Sequence, residues 1–429
     1  MTLIRTSLFS FTSTAIKVVS GLVINKLVAS LIGPAGLATI GQLQNILQIS
    51  MTLAQGGVVN GVVKYTAEAR EERGQQEILL RTALLMVLVC SFFTSLGLIF
   101  FSGFIAEVIL HDRTQSFLLV VLGISIVLFS LNGLFLGLLN GLQRIRDLFF
   151  VNIFQSLVGL AYTITLIYLF GLLGALLAVV TNQSLTFLMV VVKLWKSVVS
   201  KLRGVLLRLD IDYLKKLMSF SMMTVVSALA APGTQLLLRD HILKVCGVDG
   251  AGQWQGILVI SNTYLLVVTT TLATYFLPKL SETKLVADIR HEIRTGLLLV
   301  VPFVFFTSVA IFLLRDFAID LLFSKAFHPM RDLFAWQLTG DMFKMVSWIF
   351  AYLLMAKAKI FLFVLTEIIF STTYYLLGVL CVHFFGLEGS TIAYMINYVL
   401  YFICMIVIYK ILMSGKSLQE KVALMRIKP

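Results

Sequence analysis

Long uninterrupted apolar runs, broken by short polar ones, set the pattern of this chain. Stretches such as 84–101, 117–139 and 360–381 show neither the alternation of a half-buried strand nor the one-sided stripe of a surface helix. They are apolar all round, and about 20 such residues are what an α-helix needs to cross the hydrocarbon core of a bilayer. Twelve spans are predicted, near 8–31, 37–63, 82–103, 117–139, 148–170, 172–192, 217–238, 251–276, 295–314, 335–356, 360–383 and 389–410. The turns near 171–174 and 385–389 are so short that the helices on either side must be antiparallel neighbours. The predicted fold is an all-α integral membrane protein. A transmembrane barrel would instead alternate apolar and polar residues over about ten positions per strand.

Composition agrees with that reading. Of 429 residues, 59% are hydrophobic and only 13% charged, and the mean hydropathy is +0.98. A soluble globule of this size could not enclose so much apolar surface. A soluble enzyme, a disulfide scaffold and a disordered chain are excluded. Cys90, Cys246, Cys381 and Cys404 show no C-x-x-C spacing, and three lie in apolar runs, so neither a disulfide framework nor a zinc site is expected. Lys17 interrupts the first apolar run, which argues against a cleaved signal peptide.

The net charge of +13 would suggest nucleic acid in a soluble protein. Here its placement explains it. Only Arg113, Arg239, Lys244, Arg315, Lys325 and Arg331, of 34 Lys and Arg, fall in loops opposite the termini. Cytoplasmic loops carry the basic excess, so both termini are predicted to be cytoplasmic. No nucleic-acid partner is needed.

The chain also reads as a duplication. Gly33 and Gly36 recur as Gly247 and Gly250, an offset of 214, and the same offset pairs Ser7 with Ser221 and Glu68 with Glu282. This predicts an N-terminal six-helix lobe (1–192), a basic linker (193–216), a C-terminal six-helix lobe (217–410) and a cytoplasmic tail (411–429). Repeats of this kind are typical of transporters, with a central cavity for the substrate.

Charges inside spans are the candidate functional groups, because each costs about 2.5–3.5 kcal/mol at a helix centre. They are Lys17, Lys26, Asp341, Lys344 and Glu367. Asp341 and Lys344, spaced i, i+3, share a face and can neutralise each other; Glu367 is a candidate proton carrier or a packing group. Lys17 has no acidic neighbour in its helix and suits a water-filled, cation-lined cavity. Span 2 is unusually polar; Gln44, Gln48 and Gln55 share one face whose amides could bind sugar hydroxyls. In span 8, Trp254 lies beside Gln253 and Gln255 and reads as an interfacial belt residue. Under the 214 offset Arg239 stands one position from the counterpart of Lys26. The two could flank the periplasmic end of the cleft, with Lys17 deeper on the same route.

Gly133, Gly137 and Gly141 form a small-residue row suited to helix packing. Pro232 with Gly233, and Pro302, predict kinks in spans 7 and 9. The five histidines form no H-x-x-x-H pair, and no P-loop, HExxH or catalytic-triad pattern is present. No cofactor or metal is predicted.

The stretch Met330 to Lys344, MRDLFAWQLTGDMFK, with Ala356-Lys-Ala358, the Gly33-Pro-Ala-Gly-Leu37 turn, Lys64-Tyr65 and Leu313 to Ala318, resembles the family of Wzx-type flippases for undecaprenyl-linked oligosaccharides. It is most similar to the branch that serves the enterobacterial common antigen. The resemblance implies two six-helix lobes, alternating access and a bacterial inner-membrane location. It also implies an undecaprenyl-pyrophosphate glycan as substrate, with membrane lipids, a polymerase and chain-length proteins as partners. Two rival readings are a drug or cation exporter of the same superfamily and a polymerase or ligase enzyme of the same pathway. Three intramembrane Lys against one Asp and one Glu speak against the exporter. The short loop 315–334 speaks against an enzyme that needs a large periplasmic active site.

Overall fold

The computed structural model describes residues 3–68, 73–142, 144–194, 210–283, 285–357 and 359–427. Among these residues the secondary structure is helical throughout, with no strand. Two compact units, Met1–Asp240 and His241–Pro429, divide the chain.

The first unit opens with α1 (Leu3–Leu31), α2 (Gly33–Ala54) and α3 (Val59–Glu68). Next come α4 (Arg73–Phe100) and the short α5 (Ser102–Ile105), which runs into a π turn, Ala106–Leu110. A 3-10 turn, Arg113–Gln115, leads into α6 (Ser116–Gly141) and α7 (Ile145–Leu194). Asp112 caps that 3-10 turn, accepting from the backbone N–H of Thr114 at 2.9 Å and its hydroxyl at 2.6 Å. The Thr114 hydroxyl, then its N–H and the Gln115 amide, hold the Asp112 carboxyl below the usual carboxylate range.

Helix α8 (Ile211–Thr271) crosses from the first unit into the second. A π segment, Leu272–Phe276, and α9 (Leu277–Glu282) follow, then α10 (Val286–Leu313), α11 (Arg315–Leu322) and a 3-10 segment, Lys325–Leu333. The chain ends with α12 (Phe334–Ala356), α13 (Ile360–Phe385) and α14 (Glu388–Ile427).

Among the described residues, eight helices are long and apolar enough to cross a membrane, or nine if α2 and α3 count as one bent span. Large apolar side chains cover the outside: Phe92, Phe93, Phe100, Phe101 and Phe104 are all exposed. In water such a surface would drive aggregation. In a bilayer it is simply the lipid-facing side of a multi-pass membrane protein.

Several breaks differ from the expected ones. Span 2 was expected as one helix over 37–63, yet α2 and α3 meet at a bend of 50°. Gly56 (φ +59°) and Gly57 (φ +64°) make that bend in left-handed backbone, which side chains with a Cβ resist. Pro232 stays within helical dihedrals; α8 departs from them at Gly247 (φ +75°, ψ 178°), in the turn expected between spans 217–238 and 251–276. Helix α7 turns in the same way at Gly171, inside the short turn expected at 171–174. The glycine row of α6 packs as predicted. A methyl group at Gly137 would meet Val59 at 2.9 Å, and one at Gly141 would meet Thr66 at 2.8 Å, so the glycines let α3 lie close against α6.

The sequence repeat starts its second lobe at 217, whereas packing assigns the part of α8 up to Asp240 to the first unit. Local contacts explain the assignment. Tyr213 donates to Gln75 at 2.9 Å, and the Ser221 backbone lies against Gly57. Most of the predicted 193–216 linker lies outside the described residues.

Candidate functional site

Helix α12 carries its polar residues in register. Gln337, Asp341, Lys344 and Trp348 follow i, i+4, i+7 and i+11, so they share one face. Helix α14 meets it with Tyr394, Tyr398 and Tyr401 at i, i+4 and i+7. Gly340 makes the close approach possible, because a Cβ there would collide with the ring of Tyr394.

Asp341 is fully buried. An unpartnered carboxylate could not persist there, and this one is saturated with donors. Ser261 Oγ lies 2.8 and 2.7 Å from its two oxygens. The Tyr264 hydroxyl donates at 2.9 Å and the Tyr394 hydroxyl at 2.8 Å. Gln337 Nε2 is 3.3 Å away and also reaches Ser261. One carboxylate therefore ties α8, α12 and α14 together. Charge-assisted bonds of this kind are about twice as strong as neutral ones.

Lys344 is partly exposed. Its ammonium lies over three aromatic rings, 5.4 Å from the centroid of Trp348, 5.6 Å from Tyr394 and 5.4 Å from Tyr398. The i, i+3 spacing suggested mutual neutralisation of Asp341 and Lys344. In the structure hydroxyls hold the carboxylate and ring faces hold the ammonium. Tyr394 serves both, its hydroxyl on Asp341 and its ring beside Lys344. Glu367 of α13 is half-buried near the same group and acts on Lys344 electrostatically. The tyrosines continue as a ladder of edge contacts: Tyr374 to Tyr394 at 5.8 Å, Tyr394 to Tyr398 at 4.7 Å and Phe370 to Tyr401 at 4.9 Å.

Lys17, Lys26, Gln44, Gln48, Gln55 and Arg239 lie in the first unit. Gln44 and Gln48 are exposed on one face of α2. Gln55, beyond the helix end, turns its amide into the space left by Gly133 and so packs rather than lining that face. Lys17 is exposed and Lys26 partly so. Nine residues apart on the continuous α1, they point about 180° from each other, so one helix face cannot present both. Arg239 is only 1% exposed; it is enclosed rather than offered to a cleft. Beside it, Asp240 pairs with His111 at 2.9 Å. Trp254 is fully buried, not an interfacial belt residue. Its neighbour Gln253 reaches the Ala326 carbonyl at 3.5 Å, and Gly256 lies under Met330 and Phe327, so the 3-10 segment covers this stretch of α8.

Sequence reasoning missed Trp348, Tyr394 and Tyr398 as partners of Lys344. Their signal was present in the i, i+4 spacings of Lys344 with Trp348 and of Tyr394 with Tyr398.

A family described as polysaccharide biosynthesis protein matches residues 3–239. The lipid III flippase of Escherichia coli (strain K12) is 31% identical over 412 residues, spanning 94% of this chain and 97% of that protein. Among solved structures, the lipid II flippase MurJ in an inward closed conformation aligns with a TM-score of 0.70 at 14% identity, covering 95% of this chain and 87% of its own. An inward-facing multidrug resistance MATE family transporter of the MOP superfamily aligns with a TM-score of 0.69 at 16% identity, covering 93% and 95%. At these identities the two structures speak for the fold alone.

Proposed function

Since the chain belongs to the polysaccharide biosynthesis protein family, we propose that it flips a lipid-linked oligosaccharide, an undecaprenyl-pyrophosphate glycan of the lipid III kind, from the cytoplasmic to the periplasmic leaflet of the bacterial inner membrane. The observation that carries this reading is identity of 31% over nearly the full length to a lipid III flippase. The chain acts as a transporter, not an enzyme, and works by alternating access.

The physical task is to move a pyrophosphate and several sugars through a medium that cannot hydrate them. The polyprenyl tail needs no help and stays in lipid. Ammonium groups replace the water around phosphate, amides replace it around hydroxyls, and aromatic faces stack on the apolar faces of sugar rings. Lys17 and the amides of Gln44 and Gln48 in the first unit, and Lys344 with its tyrosines in the second, supply those chemistries. The exposure of Lys17, Gln44 and Gln48 and the partial exposure of Lys344 and Tyr398 support this assignment. Lys26 and Glu367, both partly exposed, are secondary candidates. Asp341 holds the second site together. Counting α7 as two spans at Gly171 and α8 as two at Gly247 supports the expected twelve spans.

The test is reconstitution of the purified chain in liposomes that carry a fluorescent undecaprenyl-pyrophosphate oligosaccharide in both leaflets. A membrane-impermeant glycosidase is then added outside. Protein-free vesicles should lose about half the label, the outer-leaflet share, and proteoliposomes substantially more as inner-leaflet lipid is delivered. Equal loss in both, for common-antigen and O-antigen lipids alike, would overturn the reading.

A further inference from the structure

Three aromatic faces around one ammonium make the arrangement by which proteins recognise organic cations. Here the cation belongs to the chain itself. Lys344 and Trp348 come from α12, Tyr394 and Tyr398 from α14, and all three ring centroids lie within 5.6 Å of the Lys344 nitrogen. The walls do not depend on the lysine for their position. Tyr394 is fixed by its hydrogen bond to Asp341 and by its seat on Gly340, and it holds Tyr398 in edge contact at 4.7 Å. Lys344, Trp348 and Tyr398 all keep some surface exposure, unlike Tyr394 and Asp341.

We propose that the box of Trp348, Tyr394 and Tyr398 is an organic-cation site occupied by the chain's own Lys344, and that Lys344 is therefore a specificity-determining residue that closes the site to external cations. Two carboxylates, Asp341 and Glu367, act on the same nitrogen. The Lys344 ammonium fills the space that the three rings enclose. With it in place, a second cation meets both steric exclusion and like charge. The inference concerns occupancy of this box and does not depend on which glycan is carried.

Replacing Lys344 by Ala removes three methylenes and the ammonium, the equivalent of one n-propylammonium ion. Binding of radiolabelled tetramethylammonium to the full-length protein in detergent should be absent in the wild type. It should appear, saturably, in Lys344→Ala and be displaced by n-propylammonium but not by sodium. Lys344→Met fills the box without charge and should not bind. Adding Trp348→Leu to Lys344→Ala should weaken binding by about tenfold, as loss of one cation–π face implies. The assay contains no lipid-linked sugar, so its result is separate from the flipping reading. If Lys344→Ala is not monodisperse, Lys344→Ala with Asp341→Asn relieves the buried charge imbalance and is judged by the same saturable binding. Absence of saturable binding in a monodisperse alanine variant overturns the proposal, as does wild-type protein that binds tetramethylammonium equally well.

Discussion

At the scale of single residues, the environment of a charge decides more than its nearest opposite. Asp341 and Lys344 lie one turn apart, and spacing alone predicts that exchanging them preserves a neutral pair. Their surroundings are not exchangeable. Position 341 faces the hydroxyls of Ser261, Tyr264 and Tyr394, which suit an acceptor, while position 344 faces ring π-clouds, which suit a cation. A lysine at 341 would remove the acceptor on which the three hydroxyls converge, and a carboxylate at 344 would meet the negative faces of three rings. The double variant Asp341→Lys with Lys344→Asp is therefore expected to remain as defective in flipping as the worse of the two single variants, with membrane level measured separately by immunoblot. Recovery of more than half the wild-type rate would show that net neutrality, not the cage, is what matters. The charges themselves were legible, because an ionisable residue in an apolar run draws attention. The cage was not. Its donors stand 80 and 53 residues from Asp341 in sequence, and only tertiary packing brings them together.

At the scale of elements, the glycines separate into rows that pack and joints that bend. The row Gly133, Gly137 and Gly141 is visible in sequence because its spacing is helical, and it makes the contact its spacing implies. The joint at Gly56 and Gly57 is equally visible as a Gly-Gly pair, yet the apolar run carries on through it and hides the break. Gly57 is constrained twice. Its backbone is left-handed, and an added Cβ would lie 2.8 Å from the Ser221 carbonyl oxygen and 2.9 Å from its Cα. Backbone cannot swing aside as a side chain can. Gly57→Ala is expected to cost about 1–3 kcal/mol and to lower the thermal midpoint of the detergent-solubilised protein. Gly74→Ala is the control: that residue lies in the first turn of α4 with nothing within 4 Å, so alanine should leave the midpoint unchanged or raise it slightly. A Gly57→Ala protein as stable as the Gly74→Ala control would mean that the α2–α3 joint is free to rearrange.

Across the whole molecule, the repeat and the packing carry different information. The 214-residue offset takes Val58, at the end of the α2–α3 joint, to Leu272, the first residue of the π segment after α8. The α2–α3 joint and this segment both depart from regular α-helix, by different means: paired glycines in one, a π segment followed by Pro278 in the other. The long apolar helices were legible because hydrocarbon thickness imposes a length on every crossing. The division at Asp240 was not, since it depends on what the start of α8 touches rather than on where the repeat begins. Orientation remains a matter of charge. The basic residues crowd into the terminus-side segments, above all 193–216 and the tail, and that asymmetry predicts both termini in the cytoplasm. In a background without Cys90, Cys246, Cys381 and Cys404, a single cysteine at Lys325, exposed in the 3-10 segment before α12, should react with an impermeant maleimide in cells whose outer membrane has been permeabilised. Cysteines at Ser414 or within 193–216 should react only after the inner membrane is opened. Periplasmic labelling of either would reverse the orientation, and with it the direction in which Lys17, Gln44 and Lys344 would meet the head group.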